Sequence, residues 1–221
     1  MNISQNISKY VGSGQRKATG REASFDFCFN YFQSFRRNNN IEAIAKSENI
    51  ELSCLQLGFF LASWGMFRGS SPLGQRWSSK HYQRLIENLV RFDRAIWDID
   101  VADYGDPAKV SMLIKCGNMI ATSLEHDSDI LRTKVMLAVF GSVPAFDNNF
   151  TLPGVGLGRS PLPFREETLK KILAFYNTNK NEIDSHQISM LDFLTGQPIG
   201  ILYPRAKIID MIGYVEGGGP L

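Results

Sequence analysis

Residues 125–150 read EHDSDILRTKVMLAVFGSVPAFDNNF. Within them Leu131, Val135, Met136 and Val139 recur at the spacing that turns one side of a helix toward a core, and Ser128 stands where a capping hydroxyl would start it. Gly141 closes the run, because glycine adopts the left-handed conformation at a helix end without steric cost. A turn containing Pro144 then presents Asp147. The helical period recurs along most of the chain and strand-like alternation is rare. The expected fold is therefore mainly α, a multi-helix bundle in a single domain.

Outward from this segment, Asp106-Pro107 pairs a capping acid with proline at the first helical position, and Val110, Leu113, Ile114 and Gly117 continue a mostly buried helix. Tyr82, Leu85, Ile86, Leu89 and Val90 form one face of another, with Ser78 or Ser79 as its cap and Arg84, Glu87, Asn88 and Arg91 opposite. Cys28, Tyr31, Phe32 and Phe35 make an apolar stripe, and Leu52, Leu55, Phe59 and Ala62 make a second. Residues 151–163, TLPGVGLGRSPLP, are too rich in Gly and Pro for regular structure. Helical spacing resumes over Glu166 to Tyr176, Ile183 to Leu194 and Arg205 to Tyr214, the last placing Ile208, Ile209, Met211 and Ile212 inward. The expected organisation is a flexible basic arm over 1–22, an α-helical domain over 23–216 and a loose tail over 217–221.

Composition narrows the function classes. With 43% hydrophobic and 11% aromatic residues in 221, the chain can bury a core and is neither disordered nor a disulfide-stapled miniprotein. Cys28, Cys54 and Cys116 are odd in number and widely spaced, so they cannot build a four-ligand zinc or iron–sulfur site, and they read as buried thiols in a reducing cytoplasm. No cofactor is implied. The longest apolar stretch, Leu55 to Phe67, is interrupted by Gly58, Ser63 and Gly65 and is too short to span a bilayer, so no membrane role is expected. The histidines show no ligand spacing, and neither a G-x-S-x-G elbow nor a Walker-type loop is present. Asp98, Asp100 and Asp103 lack the frame of a calcium loop and read as a solvated acidic turn.

Charge is nearly balanced, 24 Lys and Arg against 22 Asp and Glu, but segregated. Residues 1–21 carry Lys9, Arg16, Lys17 and Arg21 with no acid, and residues 63–94 carry six cations against Glu87 and Asp93. The second cluster overlaps SWGMFRGSSPLGQRW, residues 63–77. There Arg68 and Arg76 are suited to phosphates, Ser70 and Ser71 to donating to them, Leu73 or Gln75 to wedging into a base stack, and Trp64 or Trp77 to stacking on a base. Arg16, Lys17, Lys80 and Arg84 would extend the phosphate-binding set. The plain alternative is an inter-helix loop with core tryptophans and solvated arginines.

Val139-Phe140-Gly141 followed by Pro144-Ala145-Phe146-Asp147-Asn148-Asn149-Phe150 resembles the second half of the helix-hairpin-helix DNA glycosylase signature. In that family a helix ending in an Ala/Phe/Gly run precedes a Pro-Val-Asp-Thr-His-Val type segment. The resemblance covers residues 125–150 and implies that fold, with Asp147 at a helix start facing the sugar of a flipped-out nucleotide. It implies double-stranded DNA containing a modified base as partner, acted on by a monomer. Hydrolysis of an N-glycosidic bond leaves positive charge on the deoxyribose, and a carboxylate stabilises that charge and directs water. The chain departs from the signature in two places. His126-Asp127-Ser128-Asp129 stands where Leu-Pro-Gly-Val-Gly is usual, and Ile130, Leu131 and Arg132 stand where bifunctional members carry a Schiff-base lysine, with Lys134 nearly a turn further on. The resemblance thus implies a monofunctional glycosylase, specialised in the direction of hypermodified phage cytosines and anti-phage defence. Leu152-Pro153-Gly154-Val155-Gly156 spells the hairpin motif, but Pro161 and Pro163 forbid the helix that should follow, and it reads as a glycine loop. If Asp147 merely caps a turn, the chain is instead a non-catalytic α-helical module binding DNA or a protein.

Overall fold

The computed structural model describes residues 1–12, 16–67, 69, 71–158 and 161–220, the side chains of 72 and 73 excepted. Its helices are α1 Ile3–Tyr10, α2 Ala23–Arg37, α3 Ile50–Ser63, the single turn α4 Pro72–Gln75, α5 Gln83–Arg91, α6 Pro107–Leu124, α7 Asp129–Phe140, α8 Glu166–Ser185 and α9 Arg205–Glu216. Two short antiparallel strands, β1 Ser189–Leu191 and β2 Pro198–Leu202, form a hairpin between α8 and α9. Among the described residues no helix is long and apolar enough to cross a membrane.

The segment quoted first is the central helix. In α7, Leu131 and every residue from Thr133 to Phe140 are buried, because α2, α3 and α6 pack around it. Its limits follow from its sequence: Ser128 Oγ accepts the Leu131 N–H at 3.3 Å, and Gly141 ends it at φ +69°. Asp106 Oδ1 accepts the Ala108 N–H at 2.8 Å with Pro107 at the first position of α6, as expected. α6 ends on Glu125 at φ +51°, so α6 and α7 form an antiparallel pair joined by residues 125–128. The pair supplies a helix–turn–helix and nothing more specific to the glycosylase fold.

Several expectations are corrected. Residues 3–10 do not trail as a flexible arm: Ile3, Ile7 and Tyr10 are buried and α1 packs along α9. The tail is tied down through residue 220, whose carbonyl accepts from Tyr214 Oη at 3.0 Å and from Arg21 at 2.6 Å. α5 is entered through a 3-10 turn, Ser79–Tyr82, with no side-chain cap from Ser78. The helix expected over 183–194 does not form. α8 runs to Ser185, and the chain then turns into the hairpin, where Gly196 at φ +66° and the Asp192 carboxylate shape the tip. Asp100 is not solvated. Its oxygens accept the N–H groups of Arg205 and Ala206 at 2.9 and 3.0 Å and so cap α9 from across the fold. The stripe Leu52, Leu55 and Phe59 faces outward, while Cys54, Leu57, Phe60 and Leu61 on the other side of α3 join the core. Cys28, Cys54 and Cys116 are buried and unpaired.

Two predictions follow from these local geometries. A Cβ at Gly141 would sit 2.6 Å from Pro204 Cγ and 2.7 Å from the Phe29 ring, in a left-handed conformation besides. Gly141→Ala should therefore destabilise the chain by about 1–3 kcal/mol in urea unfolding. At the hairpin tip, the N–H and hydroxyl of Thr195 hydrogen-bond Asp192 and hold its carboxyl below the usual carboxylate range. A carboxyl lowered in the folded state stabilises the tip above its unfolded pKa, and that contribution is lost as pH falls through the folded value. Hydrogen-exchange protection at Leu194 and Thr195 should drop on acidification, and Asp192→Asn should drop it at neutral pH.

Candidate functional site

Three buried side chains hold the segment that carries Asp147. Asp210 of α9 accepts the Ala145 N–H at 3.0 Å, Thr133 of α7 accepts the Phe146 N–H at 3.0 Å, and Lys134 of α7 places its ammonium 3.6 Å from Asp147 Oδ2. Three residues before Ala145, Tyr104 Oη donates to the Ser142 carbonyl at 2.6 Å. Consecutive residues are thus fixed from different directions, and the Asp147 carboxylate has a defined place. Its side chain is 16% exposed, while that of Lys134 is 4% exposed. Asp147 Oδ1 accepts the Asn149 N–H at 2.8 Å, closing a tight turn rather than opening a helix. The resemblance put this residue at a helix start, where the backbone dipole favours negative charge. Here the Lys134 ammonium and the Asn149 amide face the carboxylate instead.

Lys134 also donates to the carbonyl of Trp64 at 2.6 Å, which ties the end of α3 to the site. The Trp64 ring lies parallel to Tyr10 at 6.2 Å and edge-on to Tyr214 at 5.6 Å, with the Arg21 guanidinium 4.7 Å from its centroid. Its indole N–H donates to Ser24 Oγ at 3.1 Å. A second buried ion pair lies alongside: Lys207 Nζ is 2.7 Å from Asp210 Oδ2 and 3.0 Å from Tyr10 Oη, and it sits over the rings of Tyr10, Phe25 and Trp64. Burial pushes the Asp210 carboxyl up, Lys207 pulls it back, and the negative charge of Asp147 adds to the upward push. Burial likewise raises the Tyr10 hydroxyl well above its ordinary value, with Asp210 adding to it, and raises that of Tyr214. The result is two carboxylate–ammonium pairs, Lys134–Asp147 and Lys207–Asp210, with the rings of Tyr10, Phe25, Trp64 and Tyr214 grouped beside them.

The other expected site residues scatter. Trp64 reaches this cluster, but Trp77 does not: it stacks on His81 at 3.8 Å and meets His126 edge-on at 5.8 Å, beside the α6–α7 turn. Arg16 is an internal strut, with a side chain 8% exposed that pairs with Asp26 at 2.7 Å, donates to the Ser189 carbonyl at 2.7 Å and bonds Tyr203. It is not free to grip phosphate. Lys17, Arg76 and Lys80 are exposed; Arg84 is exposed and pairs with Glu125 at 3.2 Å. Ser71 Oγ donates to the Met66 carbonyl at 2.5 Å, and Gln75 donates to the Gly69 carbonyl. Arg68, Ser70 and the side chain of Leu73 lie outside the described residues. The turn itself is acidic. Arg132 is drawn to Asp127 at 2.6 Å and Asp129 at 3.5 Å, where the glycosylase hairpin would offer backbone amides.

Thr133, Lys134 and Asp210 were not among the expected site residues. A signal for two of them exists in the sequence: Lys134 interrupts the apolar run of LRTKVMLAVF, and Asp210 interrupts KIIDMIGY. A charge on the buried face of a helix requires a partner, and partners of this kind mark positions the fold must hold.

Thr133 is fully buried and supplies the acceptor for the Phe146 amide. Thr133→Val keeps its shape but orphans that N–H, which should cost about 1–3 kcal/mol in urea unfolding with the m-value unchanged. No protein-family model, no curated protein and no solved structure matches the chain.

Proposed function

We propose that the chain is a monofunctional DNA N-glycosylase in which Asp147 faces the sugar of a flipped-out, modified nucleotide. The observation that carries this reading is the three-point hold on Ala145–Asp147 by Asp210, Thr133 and Lys134. A turn needs no buried ammonium to close, whereas a carboxylate that must meet a developing cation needs a fixed position. In the proposed reaction the bond from C1′ to the base nitrogen breaks and the base leaves with the electron pair. Asp147 stabilises the resulting oxocarbenium ion, and a water adds to C1′ as its proton passes to the carboxylate. Lys17, Arg76, Lys80 and Arg84 are exposed cations for duplex phosphates, and the half-buried Trp64 ring, packed against Tyr214, borders the cluster. A hypermodified cytosine, as in anti-phage defence, is the substrate class that the altered hairpin suggests.

One observation favours a non-catalytic binding module instead: the Asn149 amide already uses one oxygen of Asp147 in a closed turn. The two readings separate in an abasic-site assay on duplexes carrying unmodified bases, uracil, alkylated bases or glucosyl-hydroxymethylcytosine. Base release from one of these by the wild type should fall about 10²–10⁴-fold in Asp147→Asn, with helix content and duplex binding retained. Release by neither protein, together with salt-sensitive duplex binding, establishes the binding module. Neither release nor binding removes nucleic acid from the account.

A further inference from the structure

Helix α9 ends at Glu216, and Gly217-Gly218-Gly219-Pro220 then folds back against the Asp147 turn and the aromatic cluster beside it. A helix stop accounts for part of this path. Gly218 at φ +77° donates to the Val215 carbonyl at 3.0 Å and Gly219 to that of Tyr214 at 2.9 Å, the pattern of a left-handed C-terminal cap. Such a cap requires glycine at 218 alone, whereas the docked path requires two more. A Cβ at Gly217 would lie 1.6 Å from the carbonyl oxygen of Asn149, in the turn that Asp147 closes, and one at Gly219 would lie 2.3 Å from the Tyr214 ring. That ring has little room to give, since it is edge-on against both Trp64 and Tyr10. Beyond the glycines, the Pro220 carbonyl oxygen accepts from Arg21 Nη2 at 2.6 Å and from Tyr214 Oη at 3.0 Å.

We propose that residues 217–220 are an autoinhibitory strap, in which the Pro220 carbonyl occupies a two-donor oxygen site, Arg21 Nη2 with Tyr214 Oη, that a phosphate group takes when the strap is released. The site is built to hold an acceptor, because two side chains from distant parts of the chain converge on one oxygen. Burial raises the Tyr214 hydroxyl, so it stays protonated and donates. The oxygen now held is neutral, and the Glu22 carboxylate stands 3.7 Å from Arg21 Nη2, past hydrogen-bond distance. Asp147 and Asp210 are already answered by Lys134 and Lys207. A phosphate offers Arg21 what the carbonyl does not, a full negative charge and a second oxygen for the planar guanidinium. Release is also favoured entropically, since glycine regains more backbone freedom on leaving a fixed path than any other residue, and three stand in a row. The strap and Asp147 belong to one cluster: Arg21 lies over Trp64, whose carbonyl accepts from Lys134, the ion-pair partner of Asp147. Assigning the phosphate to a substrate rests on the glycosylase reading; the competition at the oxygen site does not.

The test is the affinity of the full chain for inorganic phosphate and for an unmodified duplex, each at matched ionic strength, in the wild type, Gly219→Ala and Gly217→Ala. A strap that is mostly closed lowers the apparent affinity by the fraction of time it is open, so either alanine should tighten binding about tenfold for a strap open about a tenth of the time. Adding Arg21→Gln to Gly219→Ala should abolish the gain, and hydrogen exchange at the Gly219 amide of the wild type should quicken as phosphate is added. Unchanged far-UV circular dichroism separates a released strap from lost folding. A gain with both probes assigns the site to phosphate whether free or in a chain, and a gain confined to the duplex assigns it to the nucleic-acid backbone. Unchanged affinity in both alanine variants, or a gain that survives Arg21→Gln, overturns the proposal and leaves residues 217–220 as a helix stop. Base release plays no part in this measurement. Tighter binding by the alanine variants with no abasic sites formed sinks the glycosylase reading and keeps the strap, while base release with unchanged affinity sinks the strap alone.

Discussion

An ammonium inside a protein must be answered by charge and by hydrogen-bond acceptors, because burying it bare costs several kcal/mol. Lys134 sits in the central helix under that constraint, and the surrounding structure is arranged to meet it. The end of α3 brings in the Trp64 carbonyl and the turn after α7 brings in Asp147. Lys207 repeats the arrangement from α9, answered by Asp210 and Tyr10. Because Asp210 also holds the Ala145 amide, the two ion pairs share one turn of backbone. Removing either lysine would strand a carboxylate among aromatic rings, so the polar cluster stands or falls as a unit.

How much of this was readable in advance depended on whether the information was local. The caps at Asp106 and Ser128 and the stop at Gly141 are short-range chemistry, and all three are found where the residues suggested. Direction is not local. Leu52, Leu55 and Phe59 have helical spacing and do lie on one face, but periodicity cannot say which of two apolar faces of α3 meets the core. The stretch after Ile183 failed for a different reason: Leu191 and Leu194 imitate a helical repeat, while the turn chemistry of Asp192, Thr195 and Gly196 overrides it.

Charged residues were the least legible. Arg16 lies in a basic segment and looked solvent-facing, yet Asp26 and Tyr203 draw it inside to lock the hairpin against α2. Asp100 looked like one of a run of solvated acids and is instead the cap of a helix 105 residues away. In each case the partner is distant in sequence, so no window of neighbouring residues contains the reason. Asp147 was found from its motif, but its environment came from Thr133, Lys134 and Asp210, residues whose meaning appears only once α7 and α9 lie side by side.

The aromatic wall beside Asp147 is assembled from opposite ends of the described chain. Lys207 meets Tyr10 across 197 residues of sequence, Tyr10, Trp64 and Tyr214 are in mutual ring contact, and Asn6 donates to Glu216 at 2.8 Å. The turn bearing Asp147 waits on residues 207–214 for Asp210 and its final hold. The site therefore depends on contacts of very long sequence separation, the kind whose loop-closure cost makes them slow to form.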